Sequence, residues 1–294
     1  MHALSALGKR RTASFYALAL CTGGLFIGAI LPANAIHTAF PLPHPMSGVI
    51  LAILTGLVIL RGVTSINQAC EKLVPAVMIL FTAGCIGILW IHRAFLGETL
   101  RCIFTEAFDF RAAAGGLLGS TAMSAMRAGI ARGVFSNEAG MGTAAVTIGT
   151  LKAGDAHKRA MVSASAVFWD TVVFCGLTGL SFSVAATAVP GILTLQDGTA
   201  FSLAAFSVLP LGEPILRLCM AVLGFCCMIG WNYVGGRGFE YLWPKGGKIY
   251  CVFWCVGILL GTLIQAPAIW TVSDLLNVCI ILPSLFAILL YLRK

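Results

Sequence analysis

The sequence predicts an all-α polytopic membrane protein, and composition, hydropathy and glycine content are the observations that predict it. Of its 294 residues, 59% are hydrophobic and only 10% are charged, and the mean hydropathy is +0.95. Soluble domains carry about 25% charged residues, so a water-soluble globular protein is excluded. Long apolar runs that include 33 glycines favour bundled helices over a β-barrel, whose strands would alternate polar and apolar residues.

At roughly 20 residues per crossing, the length allows about eight or nine transmembrane helices. The predicted spans are 13–35, 45–60, 73–92, 112–151 (interrupted), 160–188, 212–235, 249–266 and 268–291. We interpret the first span as retained rather than as a signal peptide, because its apolar part is too long and shows no obvious cleavage site. The whole chain, 1–294, is therefore predicted to be a single membrane domain.

The distribution of basic residues predicts the orientation. A net charge of +8 might indicate nucleic acid, but the 19 basic residues do not cluster on any soluble module. Most of them fall in loops that are inside if the N-terminus is cytoplasmic: Lys9, Arg10, Arg11, Arg61, Lys72, Lys152, Lys158, Arg159, Arg237, Lys245, Lys248, Arg293 and Lys294. This is the positive-inside pattern, which predicts a plasma (inner) membrane protein with both termini cytoplasmic.

Most of the 11 cysteines lie in apolar helical runs, where a thiol behaves as a small hydrophobic group. Disulfides are therefore not expected. Cys226 and Cys227, with Cys251 and Cys255, are the alternative candidates for a thiolate metal site. No CxxC spacing supports that alternative, and we predict no thiolate metal site and no other cofactor.

The most informative polar interruption lies between residues 132 and 143. Ser136, Asn137 and Glu138 follow one another there, with glycines at 140 and 142. In hydrocarbon such a break is tolerated only where it lines a cavity or packs in protein, which favours a discontinuous helix whose free backbone groups hold an ion or a zwitterion. The alternative is an ordinary polar loop at the membrane surface.

Asp170 lies in the apolar run 167–174, where a carboxylate is expensive. It is predicted to be an ion or proton ligand, or else to form a salt bridge that fixes helix packing, with Arg127 or Arg132 as partner. Trp231 begins a second polar stretch at the inner end of a span, where it either anchors the interface or faces a substrate cavity. Asn34 is the polar residue near the end of the first span, where a hydrogen bond between helices is the commoner role.

Enzymatic motifs are absent from the sequence. It contains no nucleotide-binding loop, no GxSxG elbow and no HExxH motif. The remaining enzymatic alternative is an intramembrane hydrolase with Asp170 and Asp274 as paired aspartates, but neither lies in a glycine-rich aspartyl motif. We therefore predict that the protein is not an enzyme.

The segment 131–143 resembles the signature RGxFSNEAGxGS of the alanine or glycine:cation symporters, also called sodium:alanine symporters or amino acid carrier proteins. The segment 167–171 is similar to that family's VFxDT motif and follows at family-like spacing. Further matches run in family order through 71–75, 230–231, 239–242, 248–250 and 274–277. The resemblance covers nearly the whole chain.

The resemblance implies the inverted-repeat fold of the sodium-coupled leucine transporter. Residues 13–92 would supply three helices resembling core helices 3–5, and 112–291 would supply helices resembling core helices 6–10. The first two core helices have no counterpart in the sequence. The segment 136–142 would be the broken sixth helix, one of the two broken helices that form the midplane site in this fold.

The resemblance also implies site residues. The substrate-binding positions would be Ser136, Asn137, Glu138, Gly140, Trp231 and Asn34. The positions for the ion or for a buried charge would be Asp170, Thr143, Cys226 and Cys227. Cys226 and Cys227 replace hydroxyl residues of the family, and a neutral thiol is a poor ligand for a hard cation.

The implied function is secondary transport of a small neutral amino acid, alanine or glycine, coupled to sodium by alternating access. The expected partners are the amino acid, sodium and the lipid bilayer, with no nucleic acid. The alternative is a truncated or degenerate remnant, or one part of a split carrier, that is inactive alone and needs a missing N-terminal segment or a partner chain.

Overall fold

The computed structural model describes residues 1–40, 42–107, 129–149, 155–195 and 197–293. Within these ranges the regular structure is entirely helical. Five helices are long and apolar enough to cross a membrane: Arg10–Ala39, Val63–Ile91, Ala156–Ala188, Gly212–Leu242 and Ala266–Leu292. Two shorter apolar helices cover Pro45–Ile59 and Gly247–Gly261. This architecture agrees with the predicted class of polytopic membrane protein.

The helices are numbered here in chain order. They are α1 His2–Ala6, α2 Arg10–Gly24, α3 Leu31–Ala39, α4 His44–Ile59, α5 Val63–Ile91, α6 Leu96–Ala107, α7 129–137, α8 Thr143–Ile148, α9 Ala156–Val167, α10 Gly176–Ala188, α11 Gly198–Phe206, α12 Gly212–Leu242, α13 Gly247–Gly261 and α14 Ala266–Leu292. Two wider π turns, Leu25–Ile30 and Phe168–Cys175, join α2 to α3 and α9 to α10. Short 3₁₀ helices cover Arg93–Phe95 and Pro190–Thr194.

The helix boundaries differ from the predicted spans mainly at polar ends. Helix α5 begins at Val63 rather than at 73, and α12 continues to Leu242 rather than ending at 235. Backbone hydrogen bonds continue through polar residues, whereas hydropathy marks only the apolar part of a helix. Part of the predicted span 112–151 lies outside the described residues, namely 112–128, which include Arg127, and 150–151. Arg111 and Lys152 also lie outside them.

The contacts of the chain divide it into two compact units. The first unit comprises 1–78, 138–160 and 217–294, and the second comprises 79–137 and 161–216. In the first unit, α13 packs on α4 and on the π turn Leu25–Ile30, and α14 packs on α2. The interpretation of the chain as a single membrane domain stays a prediction, as does the leucine-transporter-type fold.

Glycine allows the helices of the first unit to approach closely. A Cβ atom at Gly28 would collide with the Cβ of Trp231, and one at Gly261 would lie 2.5 Å from the Ile30 carbonyl oxygen. Trp254, which is fully buried, lies against Tyr250 with ring centroids 5.6 Å apart. Small residues at helix crossings are the usual means of packing helices in membranes, where van der Waals contact replaces the hydrophobic effect.

The second unit is centred on Phe206, which is fully buried at the end of α11. Its ring stacks on Phe81 at 5.6 Å between centroids and meets Phe182 edge to face at 6.0 Å. Gly84 leaves the room for this ring, because a Cβ there would lie 2.5 Å from Phe206 Cε1. The Thr99 hydroxyl donates to the Thr187 hydroxyl at 3.1 Å between their oxygen atoms.

Candidate functional site

The predicted interruption of the helix lies at residues 138–142. Helix α7 ends at Asn137, and α8 begins at Thr143. Three residues of the turn have left-handed backbone: φ is +52° at Glu138, +85° at Gly140 and +79° at Gly142. Glycine adopts this conformation freely, whereas a glutamate does so at a cost, which is typical of functional sites. The glycines therefore specify the break.

Side chains within the first unit hold the C-terminal part of the turn. The Tyr16 hydroxyl donates to the Met141 carbonyl oxygen, 2.6 Å away. A Cβ at Gly142 would lie 2.5 Å from the Tyr16 hydroxyl oxygen and 3.0 Å from Ser284 Oγ. The turn thus fits closely against α2 and α14. Sequence reasoning did not identify Tyr16 or Ser284, because neither belongs to a polar cluster.

Glu138 and Thr143 form a second contact across the same turn. The Thr143 hydroxyl donates to Glu138 Oε2 at 2.9 Å, and Thr143 is 3% exposed. Glu138 also lies within electrostatic range of Cys227 on α12. The carboxylate therefore accepts a hydrogen bond that ties the start of α8 to the strained residue, and it brings a negative charge to the broken segment.

In the second unit, α7 meets the π turn Phe168–Cys175. Ser136 Oγ donates to Asp170 Oδ2 at 3.3 Å, and Asn137 Nδ2 donates to Thr171 Oγ1 at 2.9 Å. The Cys175 thiol also lies 3.1 Å from Ser136 Oγ. Two motifs that are 34 residues apart in the sequence are thus in direct contact. We refer to Ser136, Asn137, Asp170 and Thr171 as the oxygen cluster.

The oxygen cluster combines a carboxylate with hydroxyl and amide oxygens. Hard cations such as sodium prefer oxygen ligands, and an ammonium group is bound by the same atoms. Asp170 is exposed and has no lysine or arginine partner among the described residues, so Arg132 does not form the alternative salt bridge. Arg127, the other alternative, lies outside the described residues. In the π turn each backbone N–H pairs with the carbonyl five residues earlier rather than four, and such turns are frequent at functional sites.

The other predicted substrate positions lie elsewhere in the first unit. The Asn34 side-chain nitrogen donates to the carbonyl oxygens of Gly261 at 3.1 Å and Ile264 at 2.8 Å, which satisfies the C-terminal end of α13. Trp231 is 8% exposed and packs against Gly28. Both residues therefore pack against neighbouring helices. That they also contact the substrate stays a prediction.

The two cysteines at the predicted ion positions have different surroundings. Cys226 is buried and its thiol is hydrogen-bonded to Cys70 of α5, whereas Cys227 is half-buried near Glu138. Within the described ranges, no three His, Cys, Asp or Glu side chains lie close enough together to hold a metal ion. Sequence reasoning did not identify Cys70, which lies among the polar residues at the start of α5.

The sequence model of the sodium:alanine symporter family matches residues 2–294 of this chain. The chain belongs to the sodium:alanine symporter family. The broken segment 138–142 lies within the segment 131–143 that resembles the family signature, and Asp170 and Thr171 of the oxygen cluster lie in the second similar segment, 167–171. The family consists of transporters rather than enzymes, so the pairing of Asp170 with Asp274 in a hydrolase is set aside. Family membership and the apolar helices together identify a multi-pass membrane protein.

Relatives support the same assignment. The sodium/alanine symporter AgcS of Methanococcus maripaludis is 33% identical over 261 residues, which cover 88% of this chain and 56% of that protein. An uncharacterized transporter of Haemophilus influenzae is 31% identical, with 98% and 64% covered. The probable sodium/glutamine symporter GlnT of Bacillus subtilis is 30% identical, with 87% and 53% covered. The chain thus spans between half and two thirds of the length of these relatives.

Proposed function

We propose that this member of the sodium:alanine symporter family takes part in sodium-coupled transport of a small neutral amino acid, alanine or glycine, by alternating access. The observation that carries the proposal is the oxygen cluster, in which Ser136 and Asn137 of the segment 131–143 contact Asp170 and Thr171 of the segment 167–171. The relative from Methanococcus maripaludis, named a sodium/alanine symporter, supports alanine as the substrate, and the glutamine-related relative supports the wider class. The alternative of a remnant or a split carrier is not favoured by the match across residues 2–294.

In the proposed mechanism the substrate is a zwitterion. Ser136 and Asn137 bind it with their hydroxyl and amide groups, and the carbonyl end of α7 favours its ammonium group. Gly140 lets the backbone approach the substrate closely, and Glu138 keeps the turn in its left-handed conformation through Thr143. Trp231 and Asn34 contribute through the packing of α12 and α3 rather than through the oxygen cluster.

Sodium is the proposed coupling ion. Asp170 supplies the negative charge, and the hydroxyl of Thr171 supplies a neutral oxygen. Cys226 and Cys227 are poor sodium ligands, so the proposed site relies on the oxygen cluster instead. Sodium binding would favour one conformation of the carrier, and that conformation would bind the amino acid more tightly. Release of the sodium ion would allow the carrier to return to its other conformation. The proposed location is the inner membrane, with both termini cytoplasmic.

Asp170→Asn tests the role of the carboxylate. The substitution keeps the shape of the side chain and removes its charge, so the sodium concentration for half-maximal alanine binding should rise at least about tenfold. Binding of radiolabelled alanine to the purified chain, titrated with sodium at constant ionic strength, measures it.

Asp155→Asn is the matched control for that measurement. Asp155 is exposed before α9, outside the oxygen cluster, and the same chemical change there should leave the sodium dependence unaltered. An Asp170→Asn protein with the sodium dependence of the unaltered chain would remove Asp170 from the proposed ion site.

A further inference from the structure

Two thiols from different helices are in contact within the first unit. The thiol of Cys70 on α5 is hydrogen-bonded to the thiol of Cys226 on α12. Both residues are free cysteines, and we refer to them as the thiol pair. The proposed transport function relies on the oxygen cluster and does not use the thiol pair.

Helices α5 and α12 run antiparallel through the first unit. Near the start of α5, Ile66 lines the same cavity as Asn232 of α12. Farther along α5, the carbonyl oxygen of Val77 lies 4.0 Å from the Cys219 thiol of α12. Residue numbers thus rise along α5 while they fall along the facing part of α12. These two contacts establish the order of the helices without the thiol pair.

The thiol pair lies between these two contacts, at the position that helix geometry requires. Cys70 precedes Val77 by seven residues and Cys226 follows Cys219 by seven, which is about two turns in each helix. Residues two turns apart share a helix face, so the face of α5 that meets Cys219 also carries Cys70 towards α12. Helix packing therefore holds the two thiols together, and only a small movement of the sulfur atoms separates them from the S–S bond length of about 2.05 Å.

The two thiols differ in their access to small molecules. Cys70 is half-buried and is followed by the exposed residues Glu71 and Lys72, in the polar part of α5. Cys226 is buried, with 7% of its surface exposed. Oxidation of a thiol begins where the sulfur is accessible, and it stops at a disulfide where a second thiol lies beside it. Cys70 is thus the thiol that an oxidant reaches, and Cys226 is the thiol that resolves the oxidised sulfur.

The predicted orientation places the thiol pair towards the cytoplasm. Helix α5 begins shortly after Arg61, which the charge pattern assigns to the cytoplasmic side, and Cys70 lies near this start. The cytoplasm keeps thiols reduced, so disulfides there are transient and serve catalysis or redox sensing. A disulfide between these cysteines would therefore be a switch rather than a permanent structural bond.

We propose that Cys70 and Cys226 form a reversible disulfide in response to a hydroperoxide such as hydrogen peroxide. The Cys70 sulfur attacks one peroxide oxygen, the O–O bond breaks, and water leaves with the thiol proton, which gives a sulfenic acid. The Cys226 sulfur then attacks the Cys70 sulfur, the S–O bond breaks, and a second water leaves with the second thiol proton. Two thiols and one hydrogen peroxide thus give one disulfide and two water molecules. A thiol reductant reverses the bond by exchange.

The disulfide ties α5 to α12 near the broken segment. Cys227, the residue after Cys226, lies within electrostatic range of Glu138 in that segment. In alternating access, groups of helices move against one another around the site, and a covalent bond between two helices restricts such movement. The disulfide therefore slows transport and its reduction restores transport, an effect that rests on the proposed function.

Mass spectrometry of the purified full chain in detergent tests the disulfide itself. The chain is reduced, exposed to hydrogen peroxide and alkylated, and it is then digested without reductant. We expect a linked pair of peptides that contain Cys70 and Cys226, lighter by two hydrogen atoms than the free peptides, and its loss after treatment with dithiothreitol. In denaturant, the same oxidation should distribute Cys70 among several of the 11 cysteines. A folded chain in which Cys70 bridges another cysteine, or becomes a sulfinic acid without a bridge, would overturn the proposal.

Serine variants assign the two roles. Cys70→Ser should abolish the linked peptides, and Cys226→Ser should leave a sulfenic acid on Cys70 that dimedone traps, because the resolving thiol is gone. Cys279→Ser is the matched control, since Cys279 is half-buried on α14 and its loss should leave the bridge unchanged. A folded Cys226→Ser protein without a dimedone adduct on Cys70, or a Cys279→Ser protein that loses the bridge, would overturn the assignment.

Alanine uptake in liposomes tests the effect on transport. Hydrogen peroxide should lower sodium-dependent uptake by the unaltered chain, dithiothreitol should restore it, and the Cys70→Ser protein should keep its uptake in peroxide. Unchanged uptake by a chain whose bridge is complete by mass spectrometry would overturn the regulatory effect. A reduced chain without any uptake would contradict the proposed function instead, whereas the bridge is decided by the mass measurement alone.

Discussion

Single residues determine the geometry of the broken segment. Gly142 has a left-handed backbone, with a φ of +79°. A Cβ atom at this position would lie 2.5 Å from the Tyr16 hydroxyl oxygen. Tyr16 in turn donates to the Met141 carbonyl, so the turn is fixed by a contact that any larger residue at 142 would displace. Backbone conformation and close packing therefore both require glycine at this position.

Gly142→Ala should destabilise the protein by about 2 kcal/mol or more, because a left-handed alanine is strained and its Cβ displaces Tyr16. Thermal unfolding of the purified chain in detergent measures the effect as a lower melting temperature. Gly149→Ala is the matched control, since Gly149 has a helical φ of −57° and a Cβ there would have only ordinary contacts at 3.4 Å. Equal melting temperatures for the two variants would contradict the account of the turn.

At the scale of elements, helix contacts in the first unit depend on small residues at defined positions. Gly28 lies in the π turn Leu25–Ile30, and Trp231 of α12 occupies the space that a side chain at 28 would need. The sequence showed many glycines but not which of them lie at a crossing, because that depends on the rotation of each helix about its axis. The rotation is set by packing between segments distant in sequence.

Gly28→Ala should lower stability by about 1–3 kcal/mol, since its Cβ collides with an atom fixed to the backbone of α12. The comparison is Gly56→Ala, whose Cβ would lie 3.6 Å from Cys255 Sγ at an ordinary contact distance. Alanine in a helix is favoured over glycine by up to about 1 kcal/mol, so Gly56→Ala should be neutral or stabilising. Melting temperatures in the same detergent decide the matter, and a Gly28→Ala protein as stable as Gly56→Ala would refute the packing argument.

At the scale of the whole molecule, hydropathy predicted most of the described spans because lipid requires long apolar helices. Their ends were less predictable, since α5 continues through the polar residues Asn67 and Gln68. Part of the oxygen cluster was also predictable: Ser136 and Asp170 belong to polar motifs inside apolar runs, and they are in contact. Tyr16 was not predicted, because a single tyrosine in an apolar run gives no sign of the distant turn that its hydroxyl contacts.

Asn34 and Trp231 stay predicted substrate positions, and their observed contacts are with neighbouring helices. Asn34 donates to the C-terminal carbonyl oxygens of α13, a role that no sequence pattern distinguishes from substrate binding. Trp231 is similar, because an aromatic residue near a helix end fits an interface, a cavity or a helix contact equally well.

The most direct test of sodium-coupled transport is alanine uptake by the purified chain in liposomes. With an inward sodium gradient, radiolabelled alanine should accumulate, and the accumulation should disappear when potassium replaces sodium. Asn137→Ala, which removes the contact between α7 and Thr171, should reduce uptake at least about tenfold, while Asn67→Ala at an exposed position of α5 should not. Uptake that equals that of empty liposomes, or that ignores both sodium and Asn137, would contradict the proposed function.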